Sequence, residues 1–365
     1  MSLRVGTVFS GIGAPEEALK QLGVQYDIVF ACDNGERKLS AQDEEVLVCE
    51  QSSAKSNIEL NAFVSEKYNG HGENLVERTY RANFHIPDGA FFQDIRYLRG
   101  SEYDGQVDLF IGGSPCQSFS VMGKRGGLDE ARGTLFYEYA RLIKEIRPKV
   151  FIYENVPGML NHDGGNTWKV ISSIFSSLGY CWDYWVLNAK DFDLAQNRRR
   201  LFVVGFAKEY SDAFNHLNKP HPIPLTHKTA DYLDENVPNK YYLPEKGFYR
   251  ATDKKNIKYV AVNTTVSRCQ VACQQSNWFG DMRFETVIPQ RIENDDRIFK
   301  GIYNGKRGVV RCLTPRECLR LMGFSEDYKI VVPDPVMYRQ SGNSIAVNVI
   351  KKVIEQILST GVFNE

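Results

Sequence analysis

The chain has 365 residues, 42% of them hydrophobic and 25% charged, with 45 basic and 45 acidic side chains and therefore no net charge. This balance excludes a disordered chain and a uniformly basic nucleic-acid binder, and the length leaves room for a large core and two domains. No apolar run approaches a membrane span, the opening MSLRVGTVFSGIG has no basic region followed by an apolar stretch, and the eight cysteines are scattered, so a cytoplasmic protein with reduced thiols and no membrane partner is expected.

Over the first two hundred residues, short apolar runs alternate with helical stretches, the pattern of a doubly wound parallel sheet. A first strand at 4–9 runs into TVFSGIGAPEEAL (7–19), where Gly11 and Gly13 let the backbone approach a ligand and the following helix offers free N–H groups. Glu16 stands where a dinucleotide fingerprint has its third glycine, which disfavours a pyrophosphate ligand and a nicotinamide dehydrogenase. A second strand at 26–31 leads to Asp33, a carboxylate placed to accept hydrogen bonds from a ribose diol. A glycine turn of purely structural use is the competing reading.

A strand at 107–111 is followed by GGSPCQSFS (112–120), which delivers Cys116 at a strand's carboxyl end, where open α/β sheets bind ligands. Cysteine is otherwise a small buried hydrophobe. The glycines around Lys124 and Arg125 make 118–133 read as a loop able to close over a substrate, or as a plain surface loop. A helix over 133–147 carries Leu135, Phe136, Tyr139, Leu142, Ile143 and Ile146 on one stripe. A strand at 150–153 then leads into ENVPG (154–158), whose Glu154 shares a sheet edge with Cys116 and competes with a solvated loop glutamate. Strands at 180–187 and 201–206 follow. Before the second comes QNRRR (196–200), and alternation along an extended segment turns Arg198 and Arg200 towards one site, with Arg199 away.

Beyond 206 the texture becomes irregular, rich in proline and aromatics. Residues 207–310 carry 16 lysines and arginines against 12 acidic residues, compatible with a polyanion-facing surface or with an ordinary solvated face. Helical spacing returns at 343–358 and is expected to pack back on the first domain. Cys269 and Cys273 have no second ligand pair at metal-binding spacing, so no metal is expected.

SGIGAPE, GGSPCQSFS, ENVPG, QNRRR, RCLTPRECLRLMGF (311–324) and QSGNSIAVNVI (340–350), in this order, resemble the motif series of the C5-cytosine DNA methyltransferases. The resemblance covers 5–205 and 311–358 in pieces and leaves 207–310 unmatched, where that family carries its variable target-recognition region. It implies a Rossmann-like S-adenosylmethionine-dependent methyltransferase domain at 1–206, a smaller irregular or β-rich target-recognition domain at 207–330, and a helical segment at 331–365 returning to the first domain. Cys116 is then the nucleophile, Glu154 the carboxyl that holds the target base, and Arg198 and Arg200 their supports, with Arg198 the arginine lowering the thiol's pKa.

For the cofactor, the resemblance assigns Phe9, Gly11, Ile12 and Gly13 to the methionine end, Asp33 with Asn34 to the ribose, and Asp94 with Ile95 to the adenine. Pro115, Leu135, Asn343 and Ser344 fall on further cofactor positions. Contacts to DNA fall to Gln117, Ser118, Ser120, Lys124, Arg125, Gln196 and Thr286, the last in a Thr-hydrophobic pair with Val287. The partner is double-stranded DNA, bound by a monomer, with a restriction endonuclease acting separately as a possible companion.

Two departures stand out. The chain between Asp33 and ERTYRANF (77–84) is about forty residues longer than is usual in the family, an insertion at about 35–76 expected to be a surface helix and loop near the adenine. The ribose ligand is aspartate where glutamate is commoner. The rivals are a tRNA cytosine-5 methyltransferase, whose Cys-Phe-Thr tripeptide is missing here, and a catalytically silent DNA-binding regulator, against which the intact Cys116, Glu154 and Arg198 speak.

Overall fold

Val5, Phe30, Phe110, Phe151 and Val203 are fully buried and lie on five strands of one sheet. The computed structural model describes residues 2–54, 56–115 and 135–364. The chain divides into two units, the first comprising Met1–Leu187, Arg199–His221 and Val349–Glu365 and the second Asn188–Arg198 and Pro222–Asn348.

In the first unit the strands are β1 (Leu3–Val8), β2 (Tyr26–Cys32), β3 (Phe91–Phe92), β4 (Leu109–Gly112), β5 (Val150–Asn155) and β6 (Tyr180–Asn188). The chain then passes through β7 (Gln196–Asn197) of the second unit and returns as β8 (Arg199–Ala207). The sheet order is β3-β2-β1-β4-β5-β8-β6. Strand order reverses between β1 and β4, and their carboxyl ends therefore flank the crevice in which an α/β sheet of this kind takes its ligands. One departure from the expected parallel sheet is β8, which runs antiparallel to β5 with Glu154 opposite Phe202. Strands buried on both faces carry the same continuous apolar runs whichever way they point, so the residues alone do not reveal the direction.

The flanking helices are α1 (Ala14–Leu22), α2 (Ala41–Ser53), α3 (Asn57–Asn69), α4 (Leu75–Asn83), α5 (Leu135–Ile146), α6 (Asn166–Ser177) and the short α7 (Ser211–Asn215). Of the predicted stripe on α5, every residue but the half-buried Leu135 is buried. Phe136, Tyr139, Leu142, Ile143 and Ile146 are all buried, each contributing about 1.5–3 kcal/mol of transfer free energy. The insertion forms α2 and α3, started by Ser40 and Ser56, whose hydroxyls accept the N–H groups of Asp43 and Glu59. Leu47, Leu60, Val64 and Tyr68 close with Tyr97 into a small core of their own.

In the second unit, β9 (Val260–Val262), β11 (Gly280–Glu285), β12 (Gly301–Tyr303) and β13 (Lys306–Cys312) form a sheet in the order β12-β13-β11-β9, while β10 (Ser267–Arg268) pairs with β7. Asn304 and Gly305, both at positive φ, make the tight turn between β12 and β13. Its helices are α8 (Glu245–Thr252), α9 (Gln290–Glu293), α10 (Pro315–Arg320) and α11 (Asp334–Asn343). Arg311 of β13 is wholly buried and is neutralised by Glu285 at 2.7 Å and Glu317 at 2.8 Å.

The unit boundaries differ from those expected from composition. Residues 207–221 stay with the first unit, where Phe214 of α7 packs on Phe206 at a ring separation of 5.7 Å. Residues 188–198 and 331–348 belong to the second, and only the chain from Val349, in α12 (Val347–Ser359), returns to the first, where Lys351 meets Gln21 of α1 at 3.2 Å. Proline and aromatic content marks irregular chain, not the side on which it packs. No described helix is long and apolar enough to cross a membrane.

Candidate active site

After β1 the chain makes a tight loop with Phe9, Gly11 and Gly13 all at positive φ. Gly13 is required twice over: a side chain there is strained at φ 80, and its Cβ would enter the ring of Phe84. Beneath the loop lies Glu16, completely buried, with Oε1 accepting from the Tyr80 hydroxyl at 2.6 Å and the Thr7 hydroxyl at 3.1 Å. Burial pushes the Glu16 carboxyl up, against the pull of the Tyr80 hydrogen bond. The residue that spoiled a dinucleotide fingerprint is thus an internal prop for the loop, joined by a tyrosine 64 positions away.

Asp33 leaves β2 beside this loop. Its Oδ2 accepts the Gly11 N–H at 2.9 Å and its Oδ1 the Gly35 N–H at 2.8 Å. Burial raises its pKa, opposed by those two N–H groups. Asn34 is occupied locally, accepting from the Glu36 N–H and donating to the Arg37 carbonyl. Asp94 follows β3, next to Asp33, whose N–H donates to the Phe92 carbonyl. Ile95 is 3% exposed, and its main-chain N–H makes no hydrogen bond to any described residue. A bare glycine cradle, a carboxylate with one acceptor position on each oxygen unused by the described residues, and an N–H that meets no described acceptor fit the methionine, ribose and adenine parts of S-adenosylmethionine.

The second half of the site stands at the neighbouring strand ends. Gly113, just past β4, lies so close to β5 that a Cβ there would be 2.6 Å from the Glu154 carbonyl and 3.0 Å from its carboxylate. Ser114 is tied to β5 by a 2.7 Å hydrogen bond between its hydroxyl and that of Tyr153, and its carbonyl accepts from the Asn155 amide at 2.9 Å. Asn155 and Tyr153 thus fix the chain entering the Pro115–Cys116 step, and the asparagine next to Glu154 in ENVPG is the sequence signal for it. Glu154 is 14% exposed and pairs with Nε of Arg200 at 3.0 Å.

The strand is interrupted at Arg198 alone, between β7 and β8, and burial alternates through the segment as expected, with Gln196 and Arg198 buried, Asn197 and Arg199 exposed and Arg200 half-buried. Arg198 belongs to the second unit and is 2% exposed. It donates to the carbonyls of Gln270 (2.7 Å), Gly342 (3.1 Å) and Ser344 (2.5 Å) and to the sulfur of Cys269 (3.3 Å). These bonds tie it into that unit's interior; Cys116, whose thiol it is expected to activate, lies outside the described residues. The expectation for Gln196 is corrected. Wholly buried, its amide donates to the Leu321 carbonyl at 2.6 Å and accepts from the Gln270 N–H at 3.0 Å, leaving no face for DNA.

Among the other expected site residues, Ile12 is buried, Leu135 opens α5, and Pro115 is exposed at the end of the described segment. Asn343 and Ser344 close α11 in the second unit, and Thr286 is exposed just after β11. Cys116, Gln117, Ser118, Ser120, Lys124 and Arg125, with the rest of the expected closing loop, lie outside the described residues.

A doubly wound sheet with its glycine loop and acidic residues at the switch point is the fold of the S-adenosylmethionine-dependent methyltransferases. A Spodoptera frugiperda DNMT2 mutant superposes with a TM-score of 0.68 over 98% of this chain and 100% of its own at 18% identity, and the S. pombe Dnmt2 methyltransferase with 0.64 over 98% and 99% at 19%. Residues 62–359 match the family model described as C-5 cytosine-specific DNA methylase, and the chain belongs to that family. Type II methyltransferase M.SsoII of Shigella sonnei is 33% identical over 81% of this chain and 75% of its own, and M.HpaII of Haemophilus parainfluenzae is 35% identical over 77% and 81%. Orphan methyltransferase M.SPRI of Bacillus phage SPR is 26% identical over 100% of this chain and 99% of its own. The protein is accordingly a DNA (cytosine-5-)-methyltransferase.

Proposed function

We propose that the protein transfers a methyl group from S-adenosylmethionine to carbon 5 of a cytosine flipped out of a specific double-stranded DNA sequence, through a covalent bond between Cys116 and carbon 6. The observation that carries this reading is the approach of β4 to β5. Only a glycine at 113 lets the chain that leads to Cys116 pass against Glu154, and Arg200 holds that carboxylate in place.

Carbon 5 of cytosine is too weak a nucleophile to react unaided. The thiolate of Cys116 adds to carbon 6, breaking the 5,6 double bond and making carbon 5 enamine-like. Glu154 meets ring nitrogen 3 and offsets the charge that the addition puts there, an effect of about two to four orders of magnitude for a well-placed acid. The bound cofactor supplies an electrophilic methyl group. Loss of the carbon 5 proton then restores the double bond and expels the thiolate. A stacked base cannot reach such a site, so the cytosine leaves the duplex at a cost of about a few kcal/mol. Thr286 and its basic surroundings in the second unit read the flanking bases and phosphates.

The test uses DNA bearing 5-fluorocytosine at the target, mapped first by bisulfite sequencing. Wild type should form a stable covalent adduct and Cys116→Ala none, while the variant still binds cofactor. Active enzyme without an adduct, or methylation of tRNA in place of DNA, would overturn the reading.

A further inference from the structure

Side chains on β11 alternate between the two faces of its sheet. Met282 and Phe284 enter the apolar core of the second unit, while Asp281, Arg283 and Glu285 share the other face. The two carboxylates there are already committed. Glu285 accepts from Arg311 at 2.7 Å and from the Tyr242 hydroxyl at 2.9 Å, and Asp281 accepts the Arg268 N–H at 2.8 Å and the Thr264 hydroxyl at 3.3 Å. Arg283, between them, is half-buried, and its guanidinium makes no hydrogen bond or ion pair with any described residue.

Arg283 lines a recess of about 130 Å³ within the second unit, together with Lys228, Thr264 and Thr265. Lys228 is exposed, and its ammonium too meets no described partner. Thr264 and Thr265 follow Asn263, which stands at positive φ, and their main-chain N–H groups meet no described acceptor. Asp281 also borders the recess, where its charge is offset by Arg268, whose Nε lies 3.6 Å away. Two cations and two open N–H groups therefore surround a space well below the roughly 300–1,000 Å³ of small-molecule pockets, and it suits a compact anion such as a phosphate group.

The concave shape decides which part of a duplex fits. Base edges lie recessed in a groove and are reached by side chains that protrude, whereas phosphates stand out from the backbone and enter a recess. Thr286, expected to contact DNA, follows Arg283 by three residues, roughly 10 Å at the rise of a strand.

Resting on the double-stranded DNA reading, we propose that this recess receives one backbone phosphate of the DNA, held by Arg283, Lys228 and the N–H groups of Thr264 and Thr265. It fixes the register of the duplex on the second unit and reads no base.

The experiment is a fluorescence-anisotropy titration of the full-length protein with the target duplex and with a duplex of scrambled sequence, between about 50 and 200 mM salt. Arg283→Gln should weaken binding to both duplexes by the same factor, about tenfold, and flatten the slope of log affinity against log salt by about one unit. Lys228→Gln should flatten the slope similarly, and Arg283→Lys, which keeps the charge, should restore it. An unchanged slope in either glutamine variant overturns the proposal, as does a loss confined to the target duplex, which would make Arg283 a reader of a base. If Arg283→Gln does not fold, Lys228→Gln at its exposed position decides alone. A wild type that binds neither duplex would instead strike the DNA reading itself, and this proposal with it.

Discussion

Nε of Arg200 lies 3.0 Å from Oε1 of Glu154, both groups being mostly shielded from water on the adjacent strands β8 and β5. Such a pair works as a unit, so its members should not contribute additively. Glu154→Gln should lower turnover by about two to four orders of magnitude while S-adenosylhomocysteine binds within about twofold of wild type. Adding Arg200→Met to Glu154→Gln should cost little more. Single-turnover kinetics of the two single variants and the double one would show this, and a full multiplicative loss would mean that the arginine acts elsewhere.

Arg198, only two positions earlier, should behave as a structural residue. Arg198→Met leaves three buried carbonyls without their donor, each at a cost of about 1–3 kcal/mol, and should lower the denaturation midpoint. Arg200→Met should leave the midpoint nearly unchanged. Equal midpoints for the two variants would contradict the division of labour between them.

Gly13→Ala forces a side chain into the left-handed region and its Cβ into Phe84, at a combined cost of about 2–4 kcal/mol. Denaturant titration should register that loss, and S-adenosylhomocysteine should bind at least tenfold more weakly because the loop must shift. Gly23→Ala, at a similar φ but in open space, is the control and should show the strain alone.

The buried acids set a pH dependence of definite sign. Burial raises the folded-state pKa of both Asp33 and Glu16, so each holds its proton to higher pH in the folded chain than in the unfolded one. Their contribution to stability is therefore full at low pH and declines as pH rises from the unfolded towards the folded value. Glu16→Gln should flatten that decline in denaturation experiments. With the ribose proposed to be held by the Asp33 carboxylate, cofactor affinity has the opposite sense: it should weaken on acidification at a higher pH than an ordinary aspartate would impose. Calorimetry across that range would find no such onset if Asp33 were not the ribose acceptor.

What the sequence determined by itself were the features set by local spacing. The glycine loop after β1, the apolar face of α5, the acidic residue closing β2 and the Glu154 segment each depend on a handful of neighbouring residues, and the order of the motifs named the family. Tertiary structure decided what depends on distant chain. Tyr68 reaches Asp94 across 26 positions and Tyr80 reaches Glu16 across 64, and no periodicity records either hydrogen bond. The antiparallel course of β8 was hidden because a buried strand looks the same in both directions.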